Sequence, residues 1–154
     1  MKWSPSILLI QRFAVGEMAA ADFKEIQPEH LLMSLMKFAE MPAGAAEGVD
    51  ADDELTKDIA DDVAILHEAL EKCGIESTNA RRKLRRKLGK GDTPFKGGSA
   101  HRSAASRKLF DDATALATDS GGDTVTPLHL LTAIVQSPTP AIAQAVLGKP
   151  AQQA

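Results

Sequence analysis

The residues in this chain best suited to chemistry are two histidines in matching surroundings. "IQPEHLLMSL" (Ile26 to Leu35) holds His30, and "VTPLHLLTAI" (Val125 to Ile134) holds His129. A histidine can ligate a metal or take a proton near neutral pH. Each of these follows a proline by two residues and precedes two leucines. That context is the first turn of a helix, beside an inward-facing pair. It favours a packed imidazole, bonded to a neighbouring backbone group or to the other copy, over a ligand or a base. His67 and His101 supply no metal-ligand spacing.

Other side chains could act as acid, nucleophile or anion receptor. Glu29 sits near a helix N-terminus, where a carboxylate is favourable in any case. Ser4 and Ser103 precede apolar helical stripes and read as N-caps. Cys73 stands before Gly74 at a helix end, with no histidine and acid to activate it. It reads as a buried, inert thiol rather than a nucleophile. "RRKLRRKLGK" (Arg81 to Lys90) packs seven cations into ten residues. On a helix these cover everything but an Ala80/Leu84/Leu88 seam, with Arg81, Arg82, Arg85 and Arg86 at their centre. The plain reading is a solvated face. The sharper one is a docking strip for acidic partners, including the chain's own Asp50–Asp62 region. Nucleic acid is a weaker candidate, because no aromatic interleaves the run and the net charge is −3. "GKGDTPFKGG" (Gly89 to Gly98) has the composition of a phosphate loop but not its spacing, and it follows a helix rather than a strand. Neither a cofactor nor a metal is expected, and an enzyme is the least favoured class.

Composition limits the elements that carry these residues. Of 154 residues 44% are hydrophobic, only 4% are aromatic, and tyrosine is absent. A core of Leu, Ala, Ile, Val and Met favours helix over sheet. A single cysteine fits a reducing compartment. The longest early apolar run, Ile7 to Ile10, is far too short for a membrane span or signal core. The chain therefore reads as cytoplasmic.

About seven helices are expected. Ser4-Pro5 starts the first, with Ile7, Ile10, Ala14 and Met18 inward and an end near Ala21. Gln27-Pro28 opens the second, which fades near Phe38. Glu40 to Glu54 is a loop by composition, with Asp50, Asp52, Asp53 and Glu54 placing charge at the next helix start. Leu55, Ile59, Val63, Leu66 and Leu70 mark a long amphipathic helix ending at Lys72. Ser77 or Thr78 caps the basic helix, which runs to Leu88. Ser103 restarts the cycle, Gly121-Gly122 stops it, and Thr126-Pro127 opens the next helix. A short one follows, from Ala141 to Leu147. No stretch shows strand alternation.

The two decapeptides belong to a longer repeat. Pro28 and Pro127, His30 and His129, Leu31 and Leu130, and Leu32 and Leu131 all lie 99 residues apart. So do Ser4 and Ser103, Ile10 and Leu109, and Ala14 and Ala113. A single copy cannot bury its apolar face, so the copies are expected to pack on each other. The expected fold is all-α and pseudo-twofold: one domain over residues 1–147, with repeats at 3–88 and 102–147, a linker at 89–101 and a flexible tail at 148–154. An apolar landing place is expected in the groove between halves, bordered by the helix starts at Ser4, Gln27, Ser103 and Thr126.

"WSPSILLIQRFAVGEMAAADFKEIQPEHLLMSLM" (Trp3 to Met36) and "RSAASRKLFDDATALATDSGGDTVTPLHLLTAIV" (Arg102 to Val135) resemble the two halves of the Clp N-terminal repeat domain. The resemblance implies an all-α domain of a ring-forming, ATP-driven unfoldase. There it would catch substrate proteins or dock adaptors, and any ATPase would lie outside this sequence. It also implies that phosphoarginine would be read by the Ser at the first helix start and the Glu before His. Here those are Ser4 and Glu29. The second half supplies Ser103 but has Leu128 in the Glu position, which counts against a second such site and against phosphoarginine reading in general. Asp22 stands where the first half would have Gly, and Arg102 replaces the second aromatic. Two organisations fit: a segment of a longer unfoldase, or a stand-alone regulator of one.

Overall fold

A computed structural model describes residues 1–41 and 53–148. Residues 42–52 of the expected Glu40–Glu54 loop, with the charges of Asp50 and Asp52, and most of the 148–154 tail lie outside the described residues. The elements run β1 (Lys2–Trp3), α1 (Pro5–Ala20), β2 (Glu25–Ile26), α2 (Pro28–Ala39), α3 (Asp53–Lys72), α4 (Ser77–Leu88), β3 (His101–Arg102), α5 (Ala104–Asp119), β4 (Thr124–Val125), α6 (Pro127–Gln136) and α7 (Pro140–Ala145).

Local chemistry explains the helix starts. Ser4 is extended (φ −64°, ψ 153°), and its hydroxyl accepts from the Ile7 N–H; Pro5 then presets the first turn. Ser103 repeats this, accepting from the Ser106 N–H at 3.1 Å. At α2 and α6 the histidines do the capping. His30 Nδ1 accepts from the Gln27 N–H at 2.9 Å, and His129 Nδ1 from the Thr126 N–H at 3.0 Å. The repeated histidine is thus a backbone acceptor at the third helical position, in both copies. For α4 the cap is Glu76, not Ser77 or Thr78. Its carboxylate accepts from the Thr78 and Asn79 N–H groups at 3.2 and 2.7 Å, which also puts negative charge at the helix's positive end.

The core is built around α2. Eleven of its twelve residues are buried, so it is covered on nearly every side, as a central helix must be. Helices α1, α3, α4, α5 and α6 all pack on it. The α1–α2 pair has its counterpart in the α5–α6 pair, while α3 also reaches α1 and α6, and α4 reaches α7. From α3 only Leu66 and Leu70 are fully inside; Leu55, Ile59 and Val63 are half-buried.

The duplication is written into the backbone hydrogen bonds. β1 pairs in parallel with β4, aligning Trp3 with Val125; β2 pairs in parallel with β3, aligning Ile26 with Arg102. Each pairing is the other shifted by one repeat. The Ser4 N–H donates to the Val125 carbonyl and the Ser103 N–H to the Ile26 carbonyl, both at 2.9 Å. Each half therefore opens on the other half's helix–helix turn. These strands were not expected; at two residues each they are too short to show a period. They fall between the helices, and the all-α assignment stands.

The stretch expected as a linker lies against the first half. The Gly91 N–H donates to the Ala21 carbonyl at 2.7 Å and the Thr93 N–H to the Asp22 carbonyl at 3.0 Å. Phe95 and Ala100 pack on the core.

Candidate functional site

Ser4, Glu29 and Ser103 are all buried, at 6%, 7% and 7% exposure, and all are engaged. Ser4 and Ser103 cap their helices. The Ser103 hydroxyl also donates to Ser106 Oγ at 3.1 Å, and Ser106 Oγ donates to the Ile26 carbonyl at 2.7 Å. Glu29 accepts from Thr139 Oγ1 at 2.7 Å. Thr139 is the N-cap of α7, so Glu29 ties the start of α2 to the end of the second half. No hydrogen bond joins Ser4 to Glu29 among the described residues. The strand exchange separates them: Ser4 is bonded beside Val125, three residues before Leu128, and Ser103 beside Ile26, three residues before Glu29. Leu128 is 38% exposed where its counterpart Glu29 is covered. The helix starts at Ser4 and Ser103 thus stand at the seams between the halves.

Phe110 shows how such a seam closes. Trp3 meets its ring edge-on at a centroid distance of 5.2 Å, and the Arg102 guanidinium lies 4.4 Å over it. Trp3 and Arg102 are repeat counterparts, so both opening residues cover one buried ring. The replacement of an aromatic by Arg102 keeps this contact as a cation–π one.

The basic helix divides into used and free cations. Arg81 bonds Glu40 Oε2 at 2.5 Å, with only 16% of its side chain exposed. Arg85 grips Glu17 through Nε at 3.2 Å and Nη2 at 2.6 Å. Of the expected internal partner, the Asp50–Asp62 region, Asp50 and Asp52 lie outside the described residues, and Asp62 accepts from the Ser6 hydroxyl at 2.7 Å. Burial pushes the Asp62 carboxyl up, and that hydrogen bond opposes the rise. Arg82 and Arg86 are exposed and have no ion-pair partner among the described residues. Glu17, Glu40 and Thr139 carry no motif in the sequence, since their partners lie 68, 41 and 110 residues away.

Cys73 is exposed, not buried, because the chain leaves α3 at Lys72 and turns away at Gly74 (φ 73°). Among the described residues no group of His, Cys, Asp or Glu side chains could hold a metal ion, and no helix is long and apolar enough to cross a membrane.

The model of the Clp repeat (R) N-terminal domain family matches residues 55–148, from the first turn of α3 to just beyond α7. The chain belongs to this family. No curated protein matches it. Membership in the Clp repeat family makes the domain a protein-interaction module of the Clp system. The upstream copy in α1 and α2 lies before the matched segment and joins it through the reciprocal strand pairs.

Proposed function

We propose that this Clp repeat domain recruits substrate or adaptor proteins to a Clp-type, ATP-driven unfoldase of the cytoplasm. The motor is supplied in cis or in trans, and the domain itself does no chemistry. Residues 1–147 act as one module, with the repeats at 3–88 and 102–147 contributing to a single body. One observation carries the reading: each repeat opens on the other's turn through paired strands, which joins the first copy to the segment that matches the Clp repeat family. Weak contacts suffice for such a role, because several copies around one ring raise the effective concentration of a captured chain.

A graft tests it. The domain is fused to a Clp ring whose own N-terminal domains have been removed, and degradation of N-domain-dependent clients is measured. Restored degradation supports recruitment. A fused ring that assembles and hydrolyses ATP but degrades no more client than the truncated ring overturns it.

A further inference from the structure

Two clefts adjoin on the first half. One, of about 310 Å³, is lined by Glu17, Ala20, Met33, Arg86, Leu88 and Lys90, among others. The second, of about 470 Å³, is lined by Arg12, Phe13, Gly16, Glu17, Lys37 and Arg85, among others. Both include Glu17, Ala20 and Arg85, so the Glu17–Arg85 pair stands between them as a low divide. Ala20, Met33 and Leu88 give the first cleft an apolar lining, and Phe13 adds an apolar ring to the second. The rim is cationic, with Arg12 and Arg86 unpaired among the described residues and Lys90 only loosely placed, 3.5 Å from Asp22. The lone carboxylate inside, Glu17, is already neutralised by Arg85. In a chain of net charge −3 this is a concentrated positive site.

Gly16 adds an independent observation. It lies in the interior of α1, where glycine costs about 1 kcal/mol relative to alanine. A Cβ there would meet nothing within 4 Å, so no packing contact requires its absence. The glycine leaves bare helix backbone open to solvent at the second cleft, where a bound chain could approach it closely.

We propose that this double cleft docks an acidic polypeptide segment of a partner protein. An apolar side chain seats between α1 and α4, and flanking carboxylates meet Arg86 and Lys90 on one side and Arg12 on the other. The proposal deepens the recruitment reading and rests on it. A nucleic acid fits less well: the divide presents a carboxylate, and the Phe13 ring is covered by the Lys37 ammonium at 4.8 Å rather than open for base stacking.

The test uses a twelve-residue peptide with a central leucine between pairs of aspartate and glutamate. Its Asn/Gln counterpart and a single-stranded oligonucleotide serve as competitors. Amide shifts on the acidic peptide should cluster at Arg12, Gly16, Ala20, Arg86 and Lys90. Arg12→Glu with Arg86→Glu should weaken binding at least tenfold. Gly16→Ala should weaken it severalfold while raising the unfolding midpoint, which a merely structural glycine would not do. Equal binding of the Asn/Gln peptide, tighter binding of the oligonucleotide, or shifts confined to the helix starts overturns the proposal. Client degradation by the fused ring separates the two readings. If it survives Arg12→Glu with Arg86→Glu, the cleft assignment fails and recruitment stands; if the unmutated fusion delivers nothing, recruitment itself fails.

Discussion

Asp22 and Gly121 hold the same place in the two repeats, and both lie in the left-handed region, at φ 60° and 81°. The surrounding bonds repeat as well. The Asp22 and Gly121 N–H groups donate to the carbonyls of Ala19 and Thr118, and the next N–H in each case reaches Met18 and Ala117. This is a helix stop that glycine serves freely and other residues enter only at a cost. Aspartate is among the few that tolerate it. Asp22→Gly should therefore raise stability by about 0.5 kcal/mol, the relief of strain being partly offset by a looser unfolded chain. Gly121→Ala should lower it by about 1–2 kcal/mol. Urea unfolding of both variants reads the pair. Equal losses at the two positions would show that the turns are not equivalent.

Gly91 is needed for a different reason: close approach rather than conformation. A Cβ there would come within 2.3 Å of the Asp22 carbonyl oxygen and 3.1 Å of the Phe23 Cα, both backbone atoms that cannot swing aside. Gly91→Ala should cost at least 1–3 kcal/mol by forcing the segment off the turn. Gly97→Ala meets no neighbour within 4 Å but sits at φ 89°, so its loss should come from local strain alone. Hydrogen exchange distinguishes them. Gly91→Ala should deprotect the amides of Gly91 and Thr93 together, and Gly97→Ala should leave both protected.

The arginines of α4 should separate by their partners. Arg81→Ala removes a largely covered guanidinium and leaves Glu40 with only the Thr78 hydroxyl; a loss of about 1–2 kcal/mol is expected. Arg85→Ala should cost about 0.5–1 kcal/mol, because its pair is two-pronged but its side chain is half exposed. Arg82→Ala and Arg86→Ala should stay within about 0.5 kcal/mol of the parent. A double-mutant cycle of Arg85→Ala with Glu17→Ala measures the coupling directly. Four equal effects would mean that the run acts as an undivided charged face.

Local rules carried the helices far. Ser4-Pro5, Thr126-Pro127 and the 99-residue repeat placed four helix starts and the relation between halves, because caps and proline act within one turn of chain. The repeat also implied that the halves meet, but not how. The reciprocal strand pairs join residues more than seventy positions apart over two residues each, and no short window holds that information. The same limit hid Glu17, Glu40 and Thr139, whose roles depend on which distant side chain comes to rest beside them. Arg81 and Arg85 read as two cations among seven until α1 and the end of α2 supply their partners. Cys73 misled because a helix-end thiol with no activating partner reads as buried until the direction of the exiting chain is known.

His30 makes acid stability a readout of the repeated cap. Its Nδ1 accepts from the Gln27 N–H, so the neutral ring carries its proton on Nε2, which is buried with no hydrogen-bond partner. The ring also stands edge-to-face with Phe23 at 5.0 Å. Protonating Nδ1 would break the cap and leave a cation in an apolar site. Burial accordingly lowers its pKa from 6.5 to about 4, with Glu17 opposing the shift weakly. Because the folded value lies below the unfolded one, the unfolded chain takes up the proton first as pH falls. The stability tied to neutral His30 is complete above pH 6.5 and drains away between 6.5 and about 4, a loss on the order of 3 kcal/mol. Asp62 works in the opposite sense: its raised carboxyl is protonated more readily in the folded state, which gains stability as pH drops. His30→Asn offers Nδ1's place to an amide oxygen and cannot titrate. It should lower stability at pH 7 through lost packing, yet flatten the fall between pH 6.5 and 4, with any Asp62 contribution left in both proteins. Urea midpoints at half-unit pH steps give the comparison, and parallel curves for the parent and His30→Asn would show that the buried imidazole does not set the acid limit.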